Sequence, residues 1–202
     1  MLSNAPTALA VKAAMRKKGY VVFGDQKKGY DLNIFGIRTE DMSSNRFNDV
    51  LGVMYLSDGD WNCFMFPGTT DPGLYWRQNP MNVKGTAMLK PNQWRSCWTL
   101  GKHHGEYEAL VQAKPLTVYR DADRDAVLEP DESKLDTGMF GINIHHASAT
   151  GASTEVNKWS AGCQVFAEIL HFNFFMTLVK KSAALHGPNF SYTLLEEADF
   201  AS

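Results

Sequence analysis

The chain has 202 residues, of which 44% are hydrophobic and 21% are charged, and its formal net charge at pH 7 is -2. This size and composition are typical of one globular domain with a single packed core, which we predict over residues 1–202. The nearly balanced charge excludes a strongly basic surface, so we expect neither a nucleic acid nor a membrane as partner.

The first residues differ from a secretory signal peptide, because their positive charges follow the apolar stretch instead of preceding it. Three cysteines, Cys63, Cys97 and Cys163, are widely spaced and form no C-x-x-C pair. This spacing argues against a structural zinc site and against a disulfide framework. We therefore expect no metal and no cofactor, and at least one thiol that is unpaired within the chain.

The predicted elements begin with a short helix from Pro6 to about Lys18, which ends at Gly19. Short runs rich in β-branched and aromatic residues follow, and turn-forming residues separate them, as expected for strands. The predicted strands are YVVF (20–23), DLNIFGIR (31–38), VLGVMYL (50–56), WNCFMF (61–66), SCWTL (96–100), LTVYR (116–120) and MFGINIHHA (139–147).

From Gln164 to Leu185 the apolar residues recur with the period of an α-helix. Gly187 and Pro188 end this main helix, and FSYTLL (190–195) is typical of a last strand. The predicted fold class is mostly β (α+β), with a short N-terminal helix and one long helix near the C-terminus.

The segment GINIHHASATGASTEVNKWSAGCQVF (141–166) carries the residues best suited to chemistry. Strand alternation predicts that His145 lies at a strand end and points away from the core, and His146 is the alternative. Cys163 directly precedes the predicted main helix. Backbone N–H groups at a helix start stabilise a thiolate, so we expect a low thiol pKa.

These positions suggest roles in acyl transfer, with Cys163 as nucleophile and His145 as general base. The N–H groups of Gly162 and Cys163 are predicted to form an oxyanion hole, and Ser160 is predicted to orient the imidazole. The alternative is an inert buried thiol, which is the interpretation that we adopt for Cys63 and Cys97.

The order of a histidine, a loop, Ser-x-Gly-Cys and an aliphatic residue resembles the signature of the L,D-transpeptidase (YkuD) catalytic domain. The resemblance implies an L,D-transpeptidase-like β-sandwich or barrel and a peptidoglycan stem peptide as substrate. It also implies that Cys163 attacks the carbonyl of an L,D bond, and that an amine or water resolves the thioacyl enzyme. His145 is then the base, Ser160 its orienting group, and Gly162 with Cys163 the oxyanion donors.

The close match spans 142–165 and includes departures from the family pattern. Ala161 stands where the family usually has His, and His146 stands where it usually has Gly. The family often has Arg or Asn two residues after the nucleophile, whereas this chain has Val165. Transpeptidation and hydrolysis therefore stay open as alternatives.

Four residues are predicted to contact substrate: His146, Trp159, His104 and Gln164. Trp159 adjoins the nucleophile, and an aromatic face stacks well on sugars and peptides. His104 lies with His103 in KHHGEY (102–107), a candidate loop at the cleft mouth for binding stem-peptide carboxylates.

An acidic segment, YRDADRDAVLEPDE (119–132), spaces Asp121, Asp123 and Asp125 like the ligands of a calcium loop. Ala126 stands where such loops need glycine, which favours a solvated acidic loop and leaves calcium as the alternative.

The predicted function is a peptidoglycan peptidase or transpeptidase. We expect a protein that is made in the cytoplasm and reaches the cell wall by phage lysis, virion delivery or a secretion machine, which favours hydrolysis, as in a phage lysin. The first alternative is a non-catalytic virion or cell-wall-binding structural module with the same fold. The second is a cysteine acyl enzyme that acts on another peptide or amide. The sequence leaves the oligomeric state open.

Overall fold

The computed structural model describes residues 6–43 and 45–201, and within them the chain is mostly β. The strands are Asn33–Arg38 (β1), Asp49–Ser57 (β2), Asp60–Thr69 (β3), Thr86–Leu89 (β4), Gln93–His103 (β5), Tyr107–Gln112 (β6), Leu116–Asp121 (β7), Leu135–Gly138 (β8), Ile144–His146 (β9), Gln164–Phe166 (β10) and Asn189–Glu196 (β11). The α-helices are Ala8–Lys17 (α1), Leu74–Gln78 (α2) and Ile169–His186 (α3). None of these helices has the length and apolar character that crossing a membrane requires.

Eight strands close into a barrel in the order β1-β11-β5-β6-β9-β10-β3-β2, and β4, β7 and β8 form a separate small sheet. Strand β10 runs parallel to β9, with Gln164 opposite Ile144 and Val165 opposite His145. This parallel pair brings the segment that carries His145 alongside the residues that directly follow Cys163.

Alternation along β1 sends neighbouring side chains to two different cores. Ile34 belongs to the larger core, which α3 completes with Phe172 and Phe175. Phe35 belongs to a smaller core, in which α1 packs through Met15. All of these side chains are at least 95% buried, and burial of apolar surface on both sides of the sheet stabilises the barrel.

The predicted N-terminal helix and most of the predicted strands are confirmed, but one strand prediction is wrong and another is too long. The run 20–23 is irregular, because Val21 N–H donates to Gln93 Oε1 at 3.0 Å and Phe23 N–H to Asn33 Oδ1 at 2.7 Å. The strand predicted over 139–147 shortens to Ile144–His146. Phe140 N–H donates to the Gln112 side chain instead of to a neighbouring strand.

The main helix begins later than predicted. Residues Gln164–Phe166 form β10, where Val165 lies opposite both Thr69 and His145 on neighbouring strands, and α3 begins only at Ile169. Pairing on both sides of β10 therefore outweighs the helical period of the local sequence. Cys163 precedes a strand and not a helix, so the predicted stabilisation of its thiolate by a helix start is wrong.

Candidate active site

A cavity of about 860 Å³ borders the end of β9 and the loop that leads into β10. The β5–β6 turn, the residues before β9 and the loop before Cys163 supply most of its wall. The lining residues are Trp76, Met81, His103, His104, Glu106, Tyr107, Phe140, Gly141, Ile142, Asn143, His145, His146, Ala147, Ala149, Lys158, Trp159, Ala161 and Cys163. Cys163 and His145 therefore face the same cavity, although they lie far apart in sequence.

The Cys163 thiol is partly buried at this cavity. Asn143 N–H donates to Sγ at 3.4 Å, and Sγ lies 3.5 Å from the carbonyl oxygen of Gly141. Burial raises the pKa of Cys163 to about 11, while the hydrogen bond from Asn143 acts in the opposite direction. At neutral pH the resting thiol is therefore protonated, which differs from the low pKa expected at a helix start.

The His145 imidazole is 3% exposed and has a defined tautomer. Its Nδ1 lies 2.7 Å from the carbonyl oxygen of His146. A carbonyl only accepts, so we assign the proton to Nδ1, which leaves the lone pair on Nε2. Burial, followed by the neighbouring His103, lowers the pKa of His145 to about 3. His145 is thus a neutral imidazole with an acceptor nitrogen.

Ser160 does not orient His145 as predicted. Its hydroxyl donates to the carbonyl oxygen of Cys163 at 2.8 Å and accepts the N–H of Gly162 at 3.1 Å. The carbonyl oxygen of Ser160 accepts from Gly73 N–H. Ser160 therefore holds the turn before the thiol, and the His146 carbonyl orients the imidazole instead. The Gly162 N–H is already bonded, which contradicts its predicted role as an oxyanion donor.

Gly162 has a steric role at this turn. Its φ is +124°, and a Cβ at this position would lie 2.6 Å from the carbonyl oxygen of Ala87 in β4. Real Cβ atoms do not approach backbone oxygen so closely, and L side chains rarely adopt this φ. Glycine is therefore required for the turn to pack against β4 and to deliver Cys163 to the cavity.

Gln164 lies outside the cavity, which contradicts its predicted contact with substrate. The residue is fully buried, and its Oε1 accepts from Tyr192 Oη at 2.7 Å. Its Nε2 donates to the carbonyl oxygen of Gly162 at 3.3 Å. Gln164 therefore supports the turn before the thiol from the interior of the protein.

The other three predicted substrate contacts, His146, Trp159 and His104, all line the cavity. The His146 ring is 6% exposed, its centroid lies 4.2 Å from that of Tyr107, and burial lowers its pKa. Trp159 is 44% exposed. His104 lies in the β5–β6 turn with a φ of +49°. Their positions allow contact with a ligand, and their substrate roles stay predictions.

Two further lining residues, Tyr107 and Asn143, were not among the predicted site residues. The Tyr107 hydroxyl lies 3.3 Å from His145 Nδ1. Burial, followed by the charge of a Cys163 thiolate, raises the pKa of Tyr107 to about 12. Asn143 directly precedes β9 and contacts the thiol through its N–H. Strand alternation does put Asn143 on the same face as His145, so this pattern was the available signal.

Among the described residues, no group of three or more His, Cys, Asp or Glu side chains is arranged to hold a metal ion. In the acidic loop, Asp123 Oδ1 accepts from Asp125 N–H at 3.1 Å, and Asp125 Oδ1 accepts from Val127 N–H at 2.6 Å. These carboxylates therefore stabilise the turns of their own loop.

Comparison with known proteins yields no match for this chain to a protein-family model, a curated protein or a solved structure. The interpretation of the site therefore depends on its own geometry.

Proposed function

We propose that this protein is a cysteine peptidase or transpeptidase that acts on stem peptides of bacterial peptidoglycan. The observation that carries the proposal is the arrangement of Cys163 and His145 around one cavity, with Nδ1 of the imidazole bonded to a carbonyl and Nε2 left as acceptor. A thiol and a neutral imidazole with this tautomer are the two groups that acyl transfer needs. The barrel, with α3 after the nucleophile, supports the proposal of an L,D-transpeptidase-like fold.

The proposed reaction begins from a neutral pair. Sγ of Cys163 attacks the carbonyl carbon of the scissile bond, and the thiol proton moves to Nε2 of His145. The imidazolium then gives this proton to the leaving amine as the C–N bond breaks, which forms the thioacyl enzyme. An incoming amine or water gives a proton to Nε2 of His145 as it attacks the thioester carbonyl. The C–S bond then breaks, and the imidazolium returns the proton to Sγ, which restores the thiol. The proton moves during the attack because both resting groups are neutral.

Of the two predicted oxyanion donors, Gly162 N–H and Cys163 N–H, one is available. The N–H of Cys163 has no acceptor among the described residues, whereas that of Gly162 is bonded to Ser160. Preorganised donors in a water-poor site stabilise a tetrahedral intermediate strongly. We therefore assign the oxyanion contact to Cys163 N–H and not to Gly162 N–H.

The cavity suits an extended peptide with sugar attached. A volume of about 860 Å³ is in the upper range for small-molecule sites. Trp76 and Trp159 offer aromatic surface, and Lys158 and Glu106 add one charge of each sign. Stem peptides combine amino and carboxyl groups, so a wall of mixed chemistry fits this substrate class.

Product mass spectrometry on purified tetrapeptide-bearing muropeptides tests the proposal. We expect wild-type protein to remove or exchange a terminal residue or to cut crosslinks, and Cys163→Ala to leave the substrate unchanged. Cys63→Ala is the matched control, because Cys63 lies away from the cavity and should leave activity intact. An added amine that appears in the product indicates transfer, and added water indicates hydrolysis. Unchanged muropeptides of several classes with wild-type protein would contradict the proposal.

A second candidate is the non-catalytic wall-binding module. Its support is the resting state of the pair, since burial raises the pKa of Cys163 to about 11 and lowers that of His145 to about 3. A protonated thiol is a poor nucleophile. This candidate predicts that muropeptides bind wild type and Cys163→Ala with equal affinity. It also predicts that neither protein changes them chemically.

A further inference from the structure

A third imidazole, that of His103 at the end of β5, lies against the proposed base. His103 is 8% exposed and lines the cavity. Its ring stacks on the His145 ring, with centroids 3.9 Å apart and planes inclined by 20°. The stacked ring covers one face of the His145 imidazole, so His103 restricts the orientation of the base.

The hydrogen bonds of Asn143 determine which nitrogen of His103 carries the proton. Gln112 N–H donates to Asn143 Oδ1 at 3.0 Å, and this contact assigns the oxygen because amide nitrogen cannot accept. Nδ2 of Asn143 therefore faces Nδ1 of His103, at 3.0 Å. Because the amide nitrogen donates, Nδ1 of His103 must accept, and the proton of the neutral ring lies on Nε2.

We propose that Asn143 locks His103 as the Nε2–H tautomer, and that this N–H donates a hydrogen bond to an oxygen of the peptide bound in the cavity. Nε2 has no acceptor among the described residues. Peptide carbonyl and carboxylate oxygens are acceptors that match this donor. The inference rests on the proposed function for the identity of the substrate, whereas the tautomer is a property of the free protein.

Asn143 contacts both the proposed donor, His103, and the proposed nucleophile, Cys163. The side chain of Asn143 binds His103, and its backbone N–H contacts Sγ of Cys163 at 3.4 Å. Burial lowers the pKa of His103 to about 4, so the ring is neutral at neutral pH. A neutral ring carries one N–H, so a single tautomer can be assigned at that pH. One asparagine thereby sets the position of a substrate donor relative to the thiol.

Two substitutions of His103 test the Nε2–H donor independently of the rest of the imidazole ring. His103→Gln places an amide N–H near the position of Nε2, whereas His103→Asn reaches only to the position of Nδ1. We expect His103→Gln to retain most of the kcat/KM for muropeptides and His103→Asn to lose about tenfold, as for one lost hydrogen bond to substrate. Equal kcat/KM values for the two variants would overturn the donor role. Thermal unfolding midpoints equal to that of wild type would show that both variants fold.

The tautomer itself is measured by long-range ¹H–¹⁵N correlation spectra of the free protein. We expect the Nε2–H pattern for His103 in wild type and the Nδ1–H pattern in Asn143→Asp, because the new carboxylate accepts from Nδ1. An Nδ1–H pattern in wild type would overturn the lock. Muropeptide added to Cys163→Ala should shift the Nε2 resonance of His103, and an unmoved resonance in a bound complex would overturn the donor role. An inactive wild type would instead overturn the proposed function, and the spectra of the free protein would still test the lock.

Discussion

Two groups of buried polar side chains in this protein differ in where their hydrogen bonds end. The first, the Arg38 cluster, consists of Arg38, Asp49, Thr70 and Asp71. Arg38 Nε lies 2.8 Å from Asp71 Oδ1, and Nη1 donates to the carbonyl oxygen of Leu89 at 2.9 Å. Asp49 Oδ2 accepts from the N–H and the hydroxyl of Thr70 at 2.7 and 2.8 Å. The donors of Arg38 and Thr70 therefore bond within the protein, whereas Asp71 Oδ1 lies buried beside Arg38 and accepts no hydrogen bond from the described residues.

The second group, the cavity cluster, consists of His103, Asn143, His145 and Cys163. Three of its groups, the thiol and the Nε2 atoms of the two histidines, belong to side chains that line the cavity. Buried polar groups normally find partners inside a protein. A cluster whose bonds close internally stabilises the fold, whereas a cluster that keeps donors and acceptors free can act on a ligand.

Gln164 connects the two groups. Its Nε2 lies 3.4 Å from the carbonyl oxygen of Thr70 and 3.3 Å from that of Gly162. Through Gln164, the Arg38 cluster therefore supports the turn that positions the Cys163 thiol. From this comparison we expect substitutions in the Arg38 cluster to reduce stability and substitutions in the cavity cluster to reduce function.

The largest effect is expected for Arg38→Met, which leaves the Asp71 carboxylate buried without the cation at 2.8 Å. Loss of one partner of a buried pair costs about 3–5 kcal/mol of unfolding free energy. Urea unfolding of wild type, Arg38→Met and the exposed control Arg16→Met measures this cost. A loss for Arg38→Met that is no larger than that for Arg16→Met would show that the Arg38 cluster does not hold the fold.

A smaller effect is expected from acid on the cavity cluster. The pKa of His145 falls from 6.5 to about 3 on burial. Below 6.5 the unfolded chain binds the proton first, so this contribution to stability is lost as pH falls towards 3. One such site is worth about 2 kcal/mol between neutral pH and about pH 5. We expect His145→Gln to flatten the pH dependence of urea unfolding.

His104→Gln is the matched control for this pH experiment, because His104 is an exposed histidine of the same cavity rim. It should keep the wild-type slope. If His145→Gln and His104→Gln gave the same slope, the neutral His145 imidazole would not contribute to acid sensitivity.

Much of the barrel follows from local patterns. Alternating apolar runs predict the strands that contain Ile34, Val53 and Leu194, because one or both faces of each run meet a core. Short or polar strands have too few alternating apolar residues to be predicted from sequence. The four residues of β8, LDTG, are partly exposed, and they pair with β7 through a contact that only the tertiary fold supplies.

The candidate site was predictable in part. Motif order singles out Cys163 and His145, and the structure brings both to one cavity. The bonds of Ser160 and Gln164 were not predictable, because both depend on partners that the turn and the barrel bring close. The stack of His103 on His145 requires the pairing of β6 with both β5 and β9, which joins distant segments. Catalytic roles for these residues stay predictions.

A moderate effect is expected for Gly162→Ala, which tests the turn between the two clusters. The new Cβ would lie 2.6 Å from the Ala87 carbonyl oxygen, at a φ of +124°. Strain of this kind costs about 1–3 kcal/mol of unfolding free energy. Gly151→Ala is the control, because its Cβ would meet no atom within 4 Å and its φ is not positive. Equal unfolding free energies for the two variants would contradict the close packing of this turn on β4.

The smallest change in stability is expected for Cys163→Ala, although the same substitution should abolish activity. The polar contacts of Sγ, at 3.4 and 3.5 Å, are long, and the thiol is only partly buried. We expect a loss below about 1 kcal/mol in urea unfolding, and a larger loss for Cys97→Ala, whose thiol is 6% exposed within the larger core. If Cys163→Ala cost as much as Cys97→Ala, the thiol would be a packing element like those of the core. The cavity cluster would then stabilise the fold as the Arg38 cluster does. The wall-binding module would become the better account of the cavity.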